Sequence, residues 1–236
     1  MKDRLQVSCI SLAGFPETRA YLRAKLLGLV GSKSTVLDAG CGRGNLLVSS
    51  DEVGELVGID IDAGAVAANR AISRGVVIDL QTNLLEESGF DGLLSFDVLE
   101  HIQRPDAFLR NAVRALKPGG FLFLITPNRS SFFGLLSRIM PLRLRHFLCK
   151  LNGPHYLNDV HFYRANTTRD LFHIVRETGC VDIDLQVLNR LPSSRLMRLV
   201  FLPSYMLCRL PGLGRWGSGL LCIARKPGGA ADGAKL

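Results

Sequence analysis

An acidic residue, Asp38, stands two positions ahead of three glycines that occur at alternate positions: Gly40, Gly42 and Gly44. The run joins a short apolar segment to a stretch with helical character, so we expect it at the carboxyl edge of a sheet, where open α/β folds bind ligands. Glycine lacks a Cβ, which lets the backbone turn sharply and leaves room for a flat ligand. The Asp38 carboxylate can accept a hydrogen bond from an ammonium group or a water. The alternative interpretation is a tight connection without a ligand.

A second carboxylate, Asp60, ends the next apolar segment, twenty residues after Gly40. A carboxylate in this place can accept the two hydroxyl protons of a ribose. The glycine spacing argues against a dinucleotide, because a dinucleotide site needs G-x-G-x-x-G with a pyrophosphate at the helix N-terminus. This chain has D-x-G-x-G-x-G instead. An acid ahead of the loop favours a ligand with a cationic amino-acid tail.

The hydrophobic pattern around these residues predicts strands that alternate with helices, which is typical of a parallel sheet covered on both faces. The predicted strands lie in residues 32–40, 55–62, 76–80, 90–102, 121–128, 181–188 and 218–227. The predicted helices are residues 16–30, 45–53, 63–75, 105–120 and 167–179. Gly75 and Gly119 are expected to close the third and fourth of these helices as left-handed caps. Two insertions, at about 129–165 and 188–217, interrupt the alternation.

The length and composition fit a single domain over residues 1–236. The six cysteines include no CxxC pair, and the five histidines do not fall at metal-ligand spacing with them. We therefore expect no metal site and reduced thiols, as in a cytoplasmic protein. The first residues show no signal-peptide pattern.

Basic residues are concentrated in two stretches of the chain. Residues 107–158 hold eight Lys or Arg and residues 185–231 hold seven, and neither stretch contains an acid. A basic pole suggests an anionic partner, which could be a phospholipid surface, a phosphorylated substrate or a nucleic acid. Alternatively, the arginines keep two apolar segments soluble. The insertions within these stretches suit a lid that rests on an anionic membrane, helices that cover the sheet edge, or a dimer interface.

The motifs VLDAGCGRG, GIDID, VVIDL, FDGLLSFDVLEHI, LKPGGFLFLITPN and HFYRANTTRDLFHIVRETG occur in this order. With them the chain resembles the class I methyltransferases that depend on S-adenosylmethionine (SAM), especially the group that contains the ubiquinone-biosynthesis O-methyltransferases. The resemblance covers residues 34–187 except 130–155, and it resumes at the last strand. It implies SAM as the cofactor. It also implies a Rossmann-like α/β fold with a seven-stranded, mostly parallel sheet, an antiparallel last strand and helices on both faces.

The resemblance also assigns roles to individual residues. The implied cofactor-binding residues are Asp38, Gly40, Cys41, Gly42, Gly44, Asp60, Ile61, Asp79, Leu80, Phe96 and Asp97. The glycines would line the methionine part of SAM near Asp38, Asp60 would hold the ribose, and Asp79 with Leu80 would meet the adenine. Phe96, Asp97 and Glu100 would face the sulfonium.

Three of these assignments have alternatives. Asp79 can simply cap a strand end, and Glu100 can be a carboxylate at a helix entry. Cys41 is interpreted as a small space-filling residue rather than a nucleophile.

Methyl transfer to a hydroxyl requires removal of a proton, for which histidine is suited because its pKa lies near neutrality. His101 is the first candidate for this base, and His161 and His155 are the next. A structural role is the alternative for each. The expected acceptor is a small or lipid-linked molecule, methylated at oxygen, and no DNA partner is expected. An RNA methyltransferase and a non-catalytic SAM-binding protein are the competing interpretations.

Overall fold

The computed structural model describes residues 7–44, 47–85, 87–132, 134–135, 141, 161–191 and 195–228. The strands are β1 (Val7–Leu12), β2 (Thr35–Ala39), β3 (Glu55–Asp60), β4 (Arg74–Val77), β5 (Phe90–Phe96), β6 (Leu116–Pro127), β7 (Val181–Arg190) and β8 (Gly219–Arg225). The α-helices are α1 (Phe15–Leu27), α2 (Ala63–Ala68), α3 (Pro105–Ala115), α4 (Thr168–Glu177) and α5 (Arg195–Leu207).

The eight strands form one sheet in the order β1-β7-β8-β6-β5-β2-β3-β4. All neighbours are parallel except β8, which runs antiparallel to both β6 and β7. The mostly parallel Rossmann-like sheet and its antiparallel last strand are therefore confirmed. Because β2, β3 and β5 are parallel neighbours, their carboxyl ends meet at one edge, where the predicted ligand site lies.

Helices cover both faces of the sheet, as expected. Successive sheet residues point to opposite faces, so Leu122 and Leu124 of β6 join one core cluster while Phe121 and Phe123 join the other. Helices α3 and α4 pack in the first cluster, and helix α1 packs in the second through Leu22 and Leu26.

The sheet has eight strands rather than the predicted seven. The additional strand is β1, which pairs in parallel with β7 at the sheet edge. Its sequence, VSCISL, does not alternate strictly between apolar and polar residues, and its first three residues are exposed, so the pattern that marks a half-buried strand is missing.

Three predicted helices differ from the structure. The helix predicted over 63–75 ends at Ala68, and Gly75 lies in β4 opposite Gly58 instead of capping a helix. A Cβ at Gly75 would overlap the Val66 side chain, so this glycine lets α2 approach the sheet. The helix predicted over 105–120 ends at Ala115, and Gly119 lies within β6 at positive φ. Of the helix predicted over 45–53, the described part holds one 3-10 turn, Ser50–Glu52.

Most of the insertion at 129–165 lies outside the described residues, as does His155. The insertion at 188–217 contains helix α5 and a 3-10 turn, Gly214–Trp216, which contacts β1 and β7. Among the helices that the structure describes, none combines the length and hydrophobicity that crossing a membrane requires.

Candidate functional site

The predicted glycine loop is a tight turn that leaves the end of β2. The backbone N–H groups of Gly40 and Cys41 both donate to the Ile59 carbonyl, at 2.8 and 2.9 Å, which ties the turn to the neighbouring strand β3. Gly44 N donates to Cys41 O at 3.0 Å and closes the turn. All three glycines have positive φ, at 80°, 48° and 127° for Gly40, Gly42 and Gly44. This conformation favours glycine, so the pattern in the sequence has a local backbone cause.

Gly40 and Gly42 serve the turn in different ways. A Cβ on Gly40 would overlap the Val98 side chain, so this glycine permits a close approach between the turn and the segment after β5. A Cβ on Gly42 would have no described atom within 4 Å. Among the described residues nothing fills the space in front of Gly42, as a backbone cradle for a ligand requires.

The Asp60 carboxylate faces this turn from the end of β3. Its Oδ2 accepts the Gly42 N–H at 2.9 Å, and its Oδ1 accepts the Asp62 N–H at 2.9 Å. Two backbone donors thus fix the carboxylate on the open side of the turn, with the side chain still partly exposed. A carboxylate has about four lone-pair sites, so about two remain for other donors.

Asn69, just after α2, stabilises the glycine turn through side-chain hydrogen bonds. This residue was not identified from the sequence. Its buried side-chain NH2 donates to the carbonyls of Cys41 and Gly42, both at 3.3 Å. An asparagine after a helix usually indicates a cap, and nothing in the local sequence points to carbonyls 27 and 28 residues away.

Cys41 is buried within the turn. Burial raises the pKa of its thiol to about 11, and the negative charges of Asp38 and Asp60 act in the same direction. The thiol therefore stays protonated at neutral pH, which supports its interpretation as a small space-filling residue rather than a nucleophile.

The predicted adenine-side residues lie beyond β3 and β4. The Ile61 side chain is 72% exposed next to Asp60, whereas Leu80 is in the core. Strand β4 ends at Val77, so Asp79 does not end the strand as predicted. It begins a turn instead, in which Asp79 Oδ1 accepts the Gln81 N–H at 2.9 Å. This geometry matches the capping alternative, and the second oxygen of Asp79 leaves room for a ligand role as well.

The segment after β5 brings two carboxyl groups together, Asp97 and Glu100. Asp97 follows Phe96, the last residue of β5, and has a φ of 51°, which is uncommon outside glycine. Burial raises the pKa of Asp97, although the positive charges of Arg190 and His101 oppose it. Burial also raises the pKa of Glu100 to about 8, and the neighbouring Asp97 adds to this increase. Glu100 is therefore mostly protonated near neutral pH.

Glu100 lies in the first turn of a 3-10 helix, Leu99–His101, and its carboxyl is also part of a buried polar network. Its Oε2 accepts the Thr126 hydroxyl at 3.1 Å, and Thr126 Oγ1 accepts from the Asn166 NH2 at 2.6 Å. The Glu100 backbone carbonyl accepts the N–H groups of Phe162 and Tyr163, at 2.7 and 3.2 Å. The network ties the end of β5 to the segment that returns from the undescribed insertion.

The two described candidate histidines lie next to each other. The rings of His101 and His161 are 4.4 Å apart between centroids, and His161 stacks on Tyr163 at 5.3 Å. His101 Nε2 lies 3.9 Å from Glu100 Oε1, which is too long for a hydrogen bond but close enough for an electrostatic interaction. The His101 side chain is 32% exposed, so an acceptor can reach it.

Arg190 is a further residue that the sequence interpretation did not identify. It ends β7, and its positive charge lowers the pKa values of Asp97 and Glu100 against the effect of burial. Only the tertiary fold brings it to this edge. No metal cluster of three or more His, Cys, Asp or Glu side chains occurs within the described ranges.

A glycine turn at a parallel sheet edge, with a carboxylate on the next strand, defines a nucleotide-binding domain of the Rossmann-like class. A family model described as a methyltransferase domain matches residues 16–183. The match covers more than half of the chain, and the chain belongs to this methyltransferase family.

Curated relatives match part of the chain. A ubiquinone biosynthesis O-methyltransferase of Xanthomonas oryzae is 33% identical over an alignment of 144 positions, which covers 54% of this chain and 59% of the relative. The chain thus spans somewhat more than half the length of this relative.

Solved structures share the architecture. An S-adenosylmethionine-dependent methyltransferase of Thermotoga maritima, described as a possible histamine N-methyltransferase, has a TM-score of 0.59 and 18% identity over 88% of this chain and 89% of its own. Phosphoethanolamine N-methyltransferase 2 of Haemonchus contortus, in complex with S-adenosyl-L-methionine, has a TM-score of 0.58 and 17% identity over 89% of this chain and 52% of its own. At such identities the likeness establishes the fold alone.

Proposed function

We propose that this protein binds SAM at the turn between β2 and β3 and transfers its methyl group to an oxygen of a small or lipid-linked acceptor. The observation that carries the proposal is the Asp60 carboxylate, fixed by the Gly42 N–H beside an open glycine turn. A ribose offers two adjacent hydroxyl donors, which match the acceptor sites that remain on Asp60. Family membership supports the reaction class.

The turn suits SAM better than a dinucleotide. Asp38 is almost fully buried at the end of β2, directly before the glycines. A buried carboxylate at this place favours a cationic ammonium group and disfavours a pyrophosphate, because opposite charges attract strongly where water is excluded. The open space at Gly42 lets a ligand pass close to the backbone.

The other implied cofactor contacts extend from this turn in two directions. Ile61, Asp79 and Leu80 lie on the β3 and β4 side, where the base of the nucleotide would sit. Phe96 and Asp97 lie at the end of β5, where the sulfonium would sit. SAM supplies an electrophilic methyl group, and the chain itself must align the acceptor with it, since alignment contributes most of the acceleration in a displacement of this kind.

We assign the removal of the proton from the acceptor hydroxyl to His101, which would act as the general base. Its ring is partly exposed at the same sheet edge, and His161 packs against it. Glu100 Oε1 lies 3.9 Å from His101 Nε2, so this carboxyl borders the proposed base. His155 is the third candidate and lies outside the described residues, so its part in the reaction stays a prediction.

Oxygen is favoured as the methylated atom by the curated relatives, which are named ubiquinone biosynthesis O-methyltransferases. A phenolic hydroxyl, with or without a lipid tail, is the acceptor chemistry that this similarity favours. A fold alone does not determine the reaction. The experiments below therefore also test whether the acceptor is RNA and whether the protein binds SAM without catalysis.

The first experiment measures binding by thermal shift and calorimetry with SAM, S-adenosylhomocysteine and NAD. We expect stabilisation by the first two ligands and none by NAD. The second experiment incubates the protein with methyl-labelled SAM and either a phenolic acceptor set or RNA, and detects labelled products by mass spectrometry. Stabilisation by NAD alone would refute the cofactor. SAM binding with label on RNA only, or on nothing, would refute the acceptor class.

A further inference from the structure

Helix α5 carries apolar side chains on two opposite sides. Tyr205 and Cys208, at the end of the helix and just after it, are buried against the body of the protein. Asn189 of β7 anchors this side by donating to the Tyr205 carbonyl at 2.9 Å. These contacts account for one side of the helix, as in any amphipathic helix on a sheet.

The opposite side is apolar and exposed. At about 100° per residue, the helical residues of this exposed face lie about 60–160° around the helix axis from Tyr205, on the side away from Cys208. They are Leu199, Leu202, Met206, Leu207 and, in the turn that follows, Leu210, with exposed fractions of 71, 44, 51, 41 and 53%. A surface helix usually turns charged or polar residues to this side, and a helix that is apolar all round is normally covered by something. An apolar patch of this kind marks a contact with a partner or a membrane.

Positive charge adjoins the exposed face at its carboxyl-terminal end. The stretch 185–231 contains seven Arg or Lys and no acidic residue. Arg209 and Arg215 are both exposed just after α5. A soluble protein partner for this face would need acidic residues arranged around an apolar centre. An anionic bilayer offers negative headgroups and an apolar interior everywhere on its surface.

A cavity adjoins the exposed face. It has a volume of about 490 Å³ and opens between β1 and the turn after α5. Leu210 belongs both to the exposed face and to the cavity wall, so the two features are continuous. Arg209 and Arg215 also line the cavity, and together with Ser8 they supply the donors that a phosphate group needs.

We infer that the exposed face of α5 docks the protein on an anionic phospholipid membrane, with lipid phosphates held by Arg209 and Arg215 at the adjoining cavity. The leucines and Met206 enter the boundary between headgroups and acyl chains, as in helices that lie in the plane of the membrane. The arginines add attraction to anionic lipid. Helix α5 lies at the β1–β7 edge of the sheet, so docking involves surfaces other than the glycine turn.

The test is flotation of the full chain with vesicles of phosphatidylcholine alone and of phosphatidylcholine mixed with phosphatidylglycerol. We expect flotation with the mixed vesicles at low salt and its loss at high salt, where the Debye length falls to about 3 Å at 1 M. Leu199→Glu should weaken the binding roughly tenfold, because a leucine would no longer be buried. Arg209→Glu should weaken it by a similar or larger factor.

Matched controls separate docking from a general change in surface properties. Leu84 is 74% exposed on the loop after β4, and Arg169 is exposed on α4. Leu84→Glu and Arg169→Glu carry the same chemical changes elsewhere and should leave flotation unchanged. All variants should keep the thermal shift with SAM, so failure of docking is distinguishable from failure of the proposed cofactor.

Three results would overturn the inference. The first is no flotation with mixed vesicles at low salt, and the second is equal flotation of Leu199→Glu and Leu84→Glu. The third is a dimer, seen by sedimentation velocity, that Leu199→Glu dissociates while the vesicles bind nothing. That result would assign the exposed face to contact between two copies of the chain.

Discussion

The Asp60 carboxylate accepts the backbone N–H of Gly42 at 2.9 Å, so the end of β3 is hydrogen-bonded directly to the turn that follows β2. This contact makes two sequence features into one site. The glycines shape the turn, and the carboxylate keeps its position because two backbone donors hold it. A ligand that uses both features therefore meets a surface that is already arranged before binding, which lowers the cost of binding.

Replacement of Asp60 should weaken SAM binding without unfolding the protein. Asp60→Ala removes the acceptor for two ribose hydroxyls, and hydrogen bonds to a charged group contribute about 1.5–3 kcal/mol each. We expect the Kd for SAM to rise roughly a hundredfold, measured by calorimetry. Asp51→Ala removes an exposed carboxylate outside the glycine turn and serves as the control. An unchanged Kd for Asp60→Ala would exclude the assigned role.

Gly40, Gly42 and Gly119 should respond differently to alanine. Each has positive φ, so each substitution carries a backbone penalty of about 1–2 kcal/mol. Only Gly40→Ala adds a collision, with Val98, because a Cβ at Gly42 or Gly119 has no described atom within 4 Å. Urea unfolding should show Gly40→Ala as the least stable of the three, and Val98→Ala should recover part of that loss.

Two of these variants also separate the effect of a Cβ in the ligand space from the effect of backbone strain on SAM affinity. Gly42→Ala should weaken SAM binding by more than Gly119→Ala does, although both have similar stability, because only the Gly42 Cβ enters the open side of the turn. Equal affinities for SAM in these two variants would contradict a ligand position in front of Gly42.

Local signals account for the parts of the fold that the sequence predicts well. Helix α4 follows its prediction because Thr167 caps it, accepting from Asp170 N at 3.1 Å, and because Gly179 adopts a φ of 83° after its end. The glycine turn is predicted for the same reason, since its three positive φ values are a local requirement. The family resemblance is confirmed by the methyltransferase-domain match.

Tertiary contacts account for the parts that the sequence does not predict. Strand β1 exists because β7 offers it a parallel partner, and Gly75 leaves the predicted helix because it pairs with Gly58. Asn69 and Arg190 reach the site only through contacts that are distant in the chain. Residue types alone do not carry this information. The hydrogen bonds from Asn69 to the glycine turn and the effect of the Arg190 charge on Asp97 therefore become visible only in the folded structure.

Glu100 should make the protein less stable as pH rises. Its pKa is near 4.5 when unfolded and is raised to about 8 in the folded protein, mainly by burial. Between these values the folded state holds a proton that the unfolded state has released, so the free energy of unfolding decreases with increasing pH. Glu100→Gln is neutral at every pH and can still accept from Thr126. We therefore expect a higher Tm than wild type above pH 8 and little difference near pH 5.

Asp91 provides a control of opposite sign. Burial alone would raise its pKa, but the Thr35 N–H and Lys117 outweigh that effect and lower it. The folded state is then stabilised above the pKa of the unfolded chain, and this stability is lost as pH falls. Asp91→Asn should therefore lower the Tm at pH 7 and have less effect at pH 3. Parallel pH profiles for Glu100→Gln and wild type would contradict the buried, protonated state of Glu100.

The two adjacent histidines should separate catalysis from cofactor binding. His101→Ala removes the proposed base and should lower kcat by about 10²–10⁴-fold, while the Kd for SAM stays the same. His161→Ala should have a smaller effect on kcat and should shift its pH profile, because His161 contacts the ring of His101 at 4.4 Å and acts by positioning it. His173 is exposed on α4, and His173→Ala is the control for removal of an imidazole. If His101→Ala keeps full turnover of a phenolic acceptor, the base must lie elsewhere, and the same measurement on His155→Ala would then test the remaining candidate.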